Sequence, residues 1–541
     1  MKVLLVQPPI EDFYDTAVRT YPLALLYIAS KIRNICDVSI LDCRTGVKPR
    51  EMENLDFPEL ASFYRDDRKT PFSLFGRYSR YGMGREEIAE AIRFEGPDLL
   101  GISSSFTAYS REALDIASIA KGVDADIATV VGGTHPTVFP GNVLKDKNVD
   151  YVIRGEGETP FFELVRALSN EGTRGLSSIP GLSFRRGDVF HIGDVHTGDD
   201  IDIIPARDLA PVESYRIGKR PYTFFLTSRG CPFQCAFCGK PPAPYRRRSL
   251  NAIEKEISDV TDLGIKAIDL EDDMLNLDIP FFHSILDILK GGGFTLSAMN
   301  GLYSQTLDVK TLEKMYEAGF SRLNFSLVDT SPAVHVSQHR AYPANLLHLF
   351  DWLEEAPFLV ETHFIIGLPG QTPGEIIDTM VHLMGRRMLP GPSIYYLAPG
   401  SPLFGDICGE DPGSDLFPVT RSSVMLPVNP LFPRETTFTF MKLLRFVNVV
   451  KGLIDANPGA KLLEDLADAG KMGKNPRDRH IFTTLIREKR FVWFDVRGNE
   501  YVEEPQDRRL AAAFFKAMEG KRIKGFRTNH SIEVNETGNG L

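Results

Sequence analysis

Long apolar runs are missing from this sequence. No stretch approaches the roughly 20 apolar residues a membrane helix needs. The strand-like run from Met1 to Gln7, closed by Pro8-Pro9, is too short for a signal-peptide core. A cytoplasmic location is expected, and the sequons Asn529-His530-Ser531 and Asn535-Glu536-Thr537 are then expected to stay idle. Cysteine is scarce: six in 541 residues, with Cys231, Cys235 and Cys238 falling within eight positions. That distribution excludes a disulfide framework and points to a reducing compartment with one thiolate site. A basic excess is absent too. Lys and Arg number 62 against 72 Asp and Glu, a net charge of −10, so no global field draws the chain to nucleic acid or anionic lipid. Neither partner is expected. What is present, 43% hydrophobic and 25% charged residues, is the balance of a chain able to bury cores, and its length suggests several domains.

The first segment alternates short β-branched apolar runs with amphipathic patterns. Strands are expected at Val3 to Val6, Val38 to Leu41, Leu99 to Ser103 and Ala128 to Val131, with helices at Leu23 to Ile32, Glu87 to Phe94 and Glu112 to Lys121. This is the pattern of a parallel sheet covered on both faces, and it predicts a doubly wound, Rossmann-like α/β domain over residues 1–170. An irregular stretch rich in Arg and Tyr interrupts it from Phe63 to Arg85. Residues 171–215 are expected to form a connector, with a small exposed hairpin from Gly181 to His191 and an acidic linker from Asp199 to Leu209.

A second βα series then begins. Strand starts near Tyr222, Ile265, Thr295, Arg322, Leu359 and Ser393 alternate with helical patterns such as Asn251 to Asp262 and Asp308 to Ala318. Each interval accommodates a right-handed crossover, so residues 216–405 are expected to form a six-unit partial (β/α) barrel with its chemistry at the C-terminal strand ends. Residues 406–541 change character: a long helix from Pro433 to Asp455, a hairpin from Phe491 to Val502 and a helix from Arg508 to Met518 predict a mainly helical capping region that sets specificity.

The chemistry is concentrated in Arg229-Gly230-Cys231-Pro232-Phe233-Gln234-Cys235-Ala236-Phe237-Cys238, just after the first strand of the second series. A loop lets three thiolates converge where a helix or strand would splay them. Soft sulfur selects zinc or an iron-sulfur cluster. Structural zinc wants four protein ligands, and the nearest further cysteine, Cys408, is remote in sequence. A 4Fe-4S cluster on three cysteines would keep one iron open; zinc completed by a distant ligand is the alternative.

With the six-unit series, this motif resembles the radical S-adenosylmethionine (SAM) superfamily. Thr227-Ser228-Arg229-Gly230-Cys231-Pro232 and Arg246-Arg247-Arg248-Ser249 are similar to the subset carrying an N-terminal cobalamin-binding domain, and the resemblance covers about residues 1–405. It implies that Cys231, Cys235 and Cys238 hold three irons, that the fourth chelates SAM, and that one electron cleaves SAM to a 5'-deoxyadenosyl radical. It implies a SAM contact from Asp272 or Asp273 in Leu270-Glu271-Asp272-Asp273, although the commoner Gly-Gly-Glu form is absent. It places a ribose contact at Ser326 and an adenine-contacting turn at Gly367, in Ile366-Gly367-Leu368-Pro369-Gly370. One of the adjacent Tyr395 and Tyr396 must face away from the pocket.

In the first domain, Ser103, Ser105, Gly132 and Gly133 match the strand ends that line a cobalamin nucleotide tail in such domains. The D-x-H-x-x-G signature of an axial histidine is missing. Asp194-Val195-His196-Thr197-Gly198 is a near miss in the connector, and His135 reads as a packing residue, so cobalamin bound without a protein imidazole is expected. The resemblance implies a 4Fe-4S, SAM and cobalamin enzyme that methylates an unactivated carbon of a small-molecule or peptide substrate, reduced by a flavodoxin or ferredoxin. Radical cyclisation or rearrangement is the rival; a zinc-stabilised binding protein, with Arg246-Arg247-Arg248 as a polyanion contact, is the distant one. Hydrogen abstraction by a radical needs no protein base, so no catalytic side chain is singled out.

Overall fold

The computed structural model describes residues 1–14, 20–54, 56–64, 68–73, 76–170, 175–198, 200–240, 243–409, 419–468, 472 and 475–526. Asp199 and both sequons lie outside the described residues.

Alternating apolar residues explain the first sheet. Leu4, Val6, Leu100, Ile102, Val131 and Val152 face one core with helices Arg85–Glu95 and Ser110–Val123. Val3, Leu5, Leu99, Val130 and Ile153 face another with helices Leu23–Ile32 and Glu158–Asn170. Period-two strands buried on both faces require this two-sided cover. Five parallel strands run in the spatial order Asp37–Asp42, Lys2–Gln7, Leu99–Ser103, Ala128–Gly132, Tyr151–Ile153. The order reverses between Lys2–Gln7 and Leu99–Ser103, where such sheets open a crevice beyond their strand ends. The hairpin expected as part of a separate connector instead continues this sheet. Leu182–Arg186 pairs antiparallel with Tyr151–Ile153, and Val189–His191 completes seven strands. Leu182 and Phe184 are buried against the same core as Leu5 and Val130, which draws the hairpin in.

The second unit has six parallel strands in two groups. Arg220–Phe225, Ala267–Leu270 and Thr295–Ser297 form one; Arg322–Val328, Leu359–Ile366 and Leu389–Ile394 form the other. Among the described residues, the isolated bridges Leu296 to Phe320 and Leu302 to Phe325 link the groups. The sixth strand begins four residues before its expected start at Ser393 because Pro390 and Pro392 disguise it. Those prolines are tolerated since the strand pairs on one side only, leaving no ladder bond for the missing N–H groups.

The C-terminal region packs on this half-barrel through helix Arg434–Ala456, and Phe440, Leu443, Phe446 and Val447 form a buried stripe. The irregular stretch near the N-terminus is part of the same core. Phe63 meets Phe438 edge-on at 5.2 Å, and Phe72 meets Phe446, Phe482 and Phe491 at 5.9, 5.0 and 6.0 Å between ring centroids. Strand Arg68–Lys69 adds to the hairpin Val492–Asp495 and Glu500–Glu503. No helix among the described residues is long and apolar enough to cross a membrane.

Because Phe72 is fully buried among rings contributed by the other end of the chain, Phe72→Ala is expected to destabilise the protein by about 3–5 kcal/mol. Denaturant unfolding followed by the fluorescence of Trp493, in the C-terminal hairpin, checks this.

Candidate functional site

Strand Arg220–Phe225 ends at the cysteine loop, and the loop's base is pinned by one carboxylate. Asp272 is fully buried and accepts hydrogen bonds from Thr227 N at 3.0 Å, Thr227 Oγ1 at 2.7 Å, Ser228 N at 2.5 Å and Ser228 Oγ at 2.6 Å. Burial pushes its pKa up while these donors oppose the shift. Gly230 adopts φ +92°, and a side chain there would collide with the Pro244 carbonyl, so the step into Cys231 needs glycine. Beyond it, Ala243 N donates to Cys231 O at 2.9 Å, Ala236 N to Gln338 O at 3.0 Å and Leu403 N to Ala236 O at 3.1 Å. The loop is therefore tied to the ends of the fourth and sixth barrel strands.

Cys231, Cys235 and Cys238 are free thiols, each partly buried. Burial raises the Cys231 pKa, and the neighbouring Cys235 and Cys238 raise it further, which places the three sulfurs in one electrostatic environment. Arg340 donates to Cys235 Sγ at 3.7 Å and to the Ser326 carbonyl at 3.3 Å. Among the described residues no three Cys, His, Asp or Glu side chains converge on one ion. A cubane distributes its thiolates over three irons, so it asks for neighbouring rather than converging sulfurs. The donor set fits a 4Fe-4S cluster.

The structure separates the acidic residues. Asp272, expected at the SAM amino group, is sealed beneath the loop with its oxygens taken, because alternation along an extended segment turns 272 inward and leaves 271 and 273 on the opposite side. Asp273 pairs with Lys240 beside Cys238, and Glu271 lines the interdomain cavity described below. Ser326 lies at a bulge in the fourth strand, and Val328 just after it is held at φ +67°, an unfavourable conformation for a β-branched residue, by complete burial. Gly367, at φ +92°, and Leu368 donate their N–H groups to Gln371 Oε1 at 2.9 and 3.1 Å, which explains the turn after the fifth strand. Of the two tyrosines, Tyr395 is buried against Phe404 and Cys408, whereas Tyr396 is 40% exposed and within electrostatic reach of Cys238 and Lys240.

On the first domain, Ser103 stands opposite Gly132 in register, and the Ser103 and Ser105 hydroxyls are 3.4 Å apart. A Cβ on Gly132 would meet nothing within 4 Å, so an open slot lies over the strand end; one on Gly133, at φ +120°, would strike the Ser104 carbonyl. Gly133 thus holds the backbones together while Gly132 leaves room, a fit for a flat cofactor tail. The slot opens into a cavity of about 240 Å³ lined from the first domain by Gln7, Arg44, Ser103, Ser105 and Tyr109, and from the barrel by Phe224 and Glu271. Arg44 and Tyr109 escaped the sequence reading because single polar residues near strand ends carry no motif, whereas Glu271 stood in the acidic run beside the two aspartates expected to contact SAM.

His135 is not in this cavity. It is buried on Phe139, with Nδ1 3.1 Å from Thr107 Oγ1, and burial pushes its pKa down to about 4. His196 is held by its backbone against Gly155 and Glu156. Arg246-Arg247-Arg248 offers no polyanion surface, since Arg246 pairs with Glu156, Arg247 with Asp278 and Arg248 with Glu256.

A doubly wound domain whose strand ends share a cavity with a half-barrel carrying a three-thiolate loop defines a two-cofactor α/β enzyme. Comparisons agree with both halves. The B12 binding domain model matches residues 76–165, and the radical SAM superfamily model matches residues 225–383. An uncharacterized methyltransferase of Pyrococcus horikoshii is 30% identical over 392 residues, spanning 70% of this chain and 77% of the relative. Cytidylyl-2-hydroxyethylphosphonate methyltransferase of Streptomyces wedmorensis is 27% identical over 421 residues, 70% of this chain and 75% of its own. The radical SAM methyltransferase TsrM of Kitasatospora setae, solved with cobalamin and a [4Fe-4S] cluster, shares the fold at a TM-score of 0.56 and 18% identity, over 78% of this chain and 84% of that one. OxsB, a cobalamin-dependent SAM radical enzyme, does so at 0.59 and 14%, over 90% and 71%. The chain belongs to the cobalamin-dependent radical SAM enzymes, whose cofactors are a 4Fe-4S cluster, SAM and cobalamin.

Two outcomes are expected. Asp272→Ala strands four donors, each costing about 1–3 kcal/mol when buried unpaired, and iron and sulfide counts after anaerobic reconstitution should fall well below those of the wild type. His135 is neutral in the fold but protonates when unfolded below its ordinary pKa near 6.5. The unfolded state then binds more protons, so stability falls as pH drops from about 6.5 toward 4, by about 3 kcal/mol in all. His135→Gln should flatten that part of the curve in denaturant titrations across pH.

Proposed function

We propose that this chain is a cytoplasmic methyltransferase that transfers a methyl group from SAM, by way of cobalamin, to an unactivated carbon of a small-molecule or peptide substrate. One observation carries the reading: Ser103 and Ser105 on the first domain and Phe224 and Glu271 at the first two barrel strand ends line one cavity. When bound, the cluster supplies the electron that cleaves SAM, and cobalamin supplies a metal that carries a methyl group.

The chain's own residues hold and screen. Cys231, Cys235 and Cys238 would bind three irons, and Asp272 and Gly230 set the path of the loop that carries them. Ser103, Ser105, Gly132 and Gly133 would receive the cobalamin tail. Asp273, Ser326 and Gly367, at the second, fourth and fifth barrel strand ends, would contact SAM. Tyr396, partly exposed and within electrostatic reach of Cys238, would shield a reactive carbon from water. The electron would come from a flavodoxin or ferredoxin.

Relatives named cyclases also match parts of the chain. The anaerobic magnesium-protoporphyrin IX monomethyl ester cyclase of Rubrivivax gelatinosus is 25% identical over 321 residues. The longer alignments to methyltransferases favour methylation.

The anaerobically reconstituted protein is expected to form 5'-deoxyadenosine from SAM under a strong reductant, and Cys231→Ser, Cys235→Ser or Cys238→Ser should each reduce it to the uncatalysed background. With methyl-labelled SAM, label should enter the carbon skeleton of a turned-over substrate. A product formed without label would replace methylation with cyclisation or rearrangement.

A further inference from the structure

Four charged side chains close the boundary between the two α/β units beside the cysteine loop. Glu156 lies on the turn after strand Tyr151–Ile153, and Glu158 opens the helix Glu158–Asn170 that follows. Arg229 and Arg246 face each other across the antiparallel pair Ser228–Arg229 and Arg246–Arg247, which puts both on one face of that ribbon. Arg229 Nη2 donates to Glu158 Oε1 at 2.7 Å, and its Nη1 is 3.5 Å from Glu156 Oε2. Arg246 donates to Glu156 Oε1 and to the Gly198 carbonyl. The four side chains are only 11–21% exposed, and the Arg229 guanidinium also lies 5.1 Å from the centroid of the Tyr27 ring.

The connector is threaded through the same contact. Glu156 Oε2 accepts the Gly198 N–H at 2.8 Å, Glu156 N donates to the His196 carbonyl at 2.9 Å and His196 N to Arg154 O at 3.0 Å. The Asp194-Val195-His196-Thr197-Gly198 segment is thus a strap across the boundary. Apart, each unit would present two like charges side by side; docked, two carboxylates meet two guanidiniums, so the boundary has one favoured register. The grip also acts without slack, because a single residue, Gly230, separates Arg229 from Cys231.

We propose that Glu156 and Glu158 are positioning residues that, by gripping the two arginines at the base of the cysteine loop, fix the separation between the cobalamin-binding strand ends and the cluster. A methyl group can pass between two sites carried by separate folding units only if their spacing is held, and this clamp holds it one residue away from Cys231. The inference rests on the functional reading above.

The test uses the full chain reconstituted with iron, sulfide and cobalamin. In the wild type, the reduced cluster should accelerate relaxation of the cob(II)alamin spin, measured by pulsed electron paramagnetic resonance. Glu156→Gln with Glu158→Gln should retain iron and cobalamin but show a weakened, broadly distributed enhancement. The exchanged pair Glu156→Arg with Arg246→Glu should recover it in part. An enhancement unchanged in the double Gln variant overturns the clamp. If that variant folds poorly, amide hydrogen exchange in Glu158→Gln decides: exchange at 155–158 and 229–231 should accelerate by about tenfold, and equal rates overturn the proposal. Should the wild type bind both cofactors without spin interaction, the functional reading fails, while hydrogen exchange still judges the clamp.

Discussion

The molecule depends on one buried carboxylate shared by two guanidiniums. Glu256, on helix Leu250–Asp262, meets Arg207 at 2.5 Å and Arg248 at 2.6 Å, and none of the three side chains is more than 2% exposed. Desolvating three charges is costly, and the guanidinium Nη donors offset it by reaching further acceptors, while Nε of Arg207 and of Arg248 stays buried without a partner. Arg207 also reaches the Tyr21 hydroxyl, Thr223 Oγ1 and the Phe224 carbonyl, while Arg248 reaches the carbonyls of Leu226 and Ile203. The partners come from the first domain, the connector, the first barrel strand and the helix after the cysteine loop. Few other places in the molecule require all four to be present at once.

That constraint sets what faces what. With the first barrel strand locked against the connector, its C-terminal end and the strand ends of the first domain share a cavity. The far wall is closed by a second long-range insertion. Arg421, fully buried although it belongs to the C-terminal region, donates to the carbonyls of Glu11 and Ala108 and lies 3.3 Å from Asp12 Oδ2, while Ser423 Oγ donates to Asp12 Oδ1 at 2.5 Å. Tyr109, which lines the cavity, donates to the same Asp12 at 2.8 Å and lies 3.2 Å from the Tyr14 hydroxyl. The C-terminal region is therefore built into the site rather than hinged over it. Phe63 and Phe72 make the reciprocal connection from the N-terminal side.

Much of the scaffold was legible because it depends on local periodicity. Helices Leu23–Ile32 and Arg508–Met518 end where the sequence pattern ends, and the five parallel strands of the first sheet follow β-branched apolar runs. The sixth barrel strand was partly hidden because proline opposes strand character except at an edge, and edge position is a property of the sheet. The hairpin at 182–191 was visible, but its membership of the first sheet depends on Leu182 and Phe184 finding a core made elsewhere. The cysteine loop was the clearest signal of all, since three thiols in eight positions have few structural uses. The fate of the neighbouring acids was not: a carboxylate buried under four donors and one facing a cavity look alike in a run of Glu-Asp-Asp.

The amino-acid order by itself determined the two βα series, the thiolate loop and the glycine steps, because each follows from side-chain type and spacing along a few residues. Only the tertiary structure decided what each charge meets. Arg246-Arg247-Arg248 became three ion pairs, Asp272 became the support of a loop, and Glu271 came to face the cavity. The physical reason is that the strength of a charge's interaction depends on its burial and on partners brought to within a few ångströms, and here those partners lie from 8 to 90 residues away along the chain.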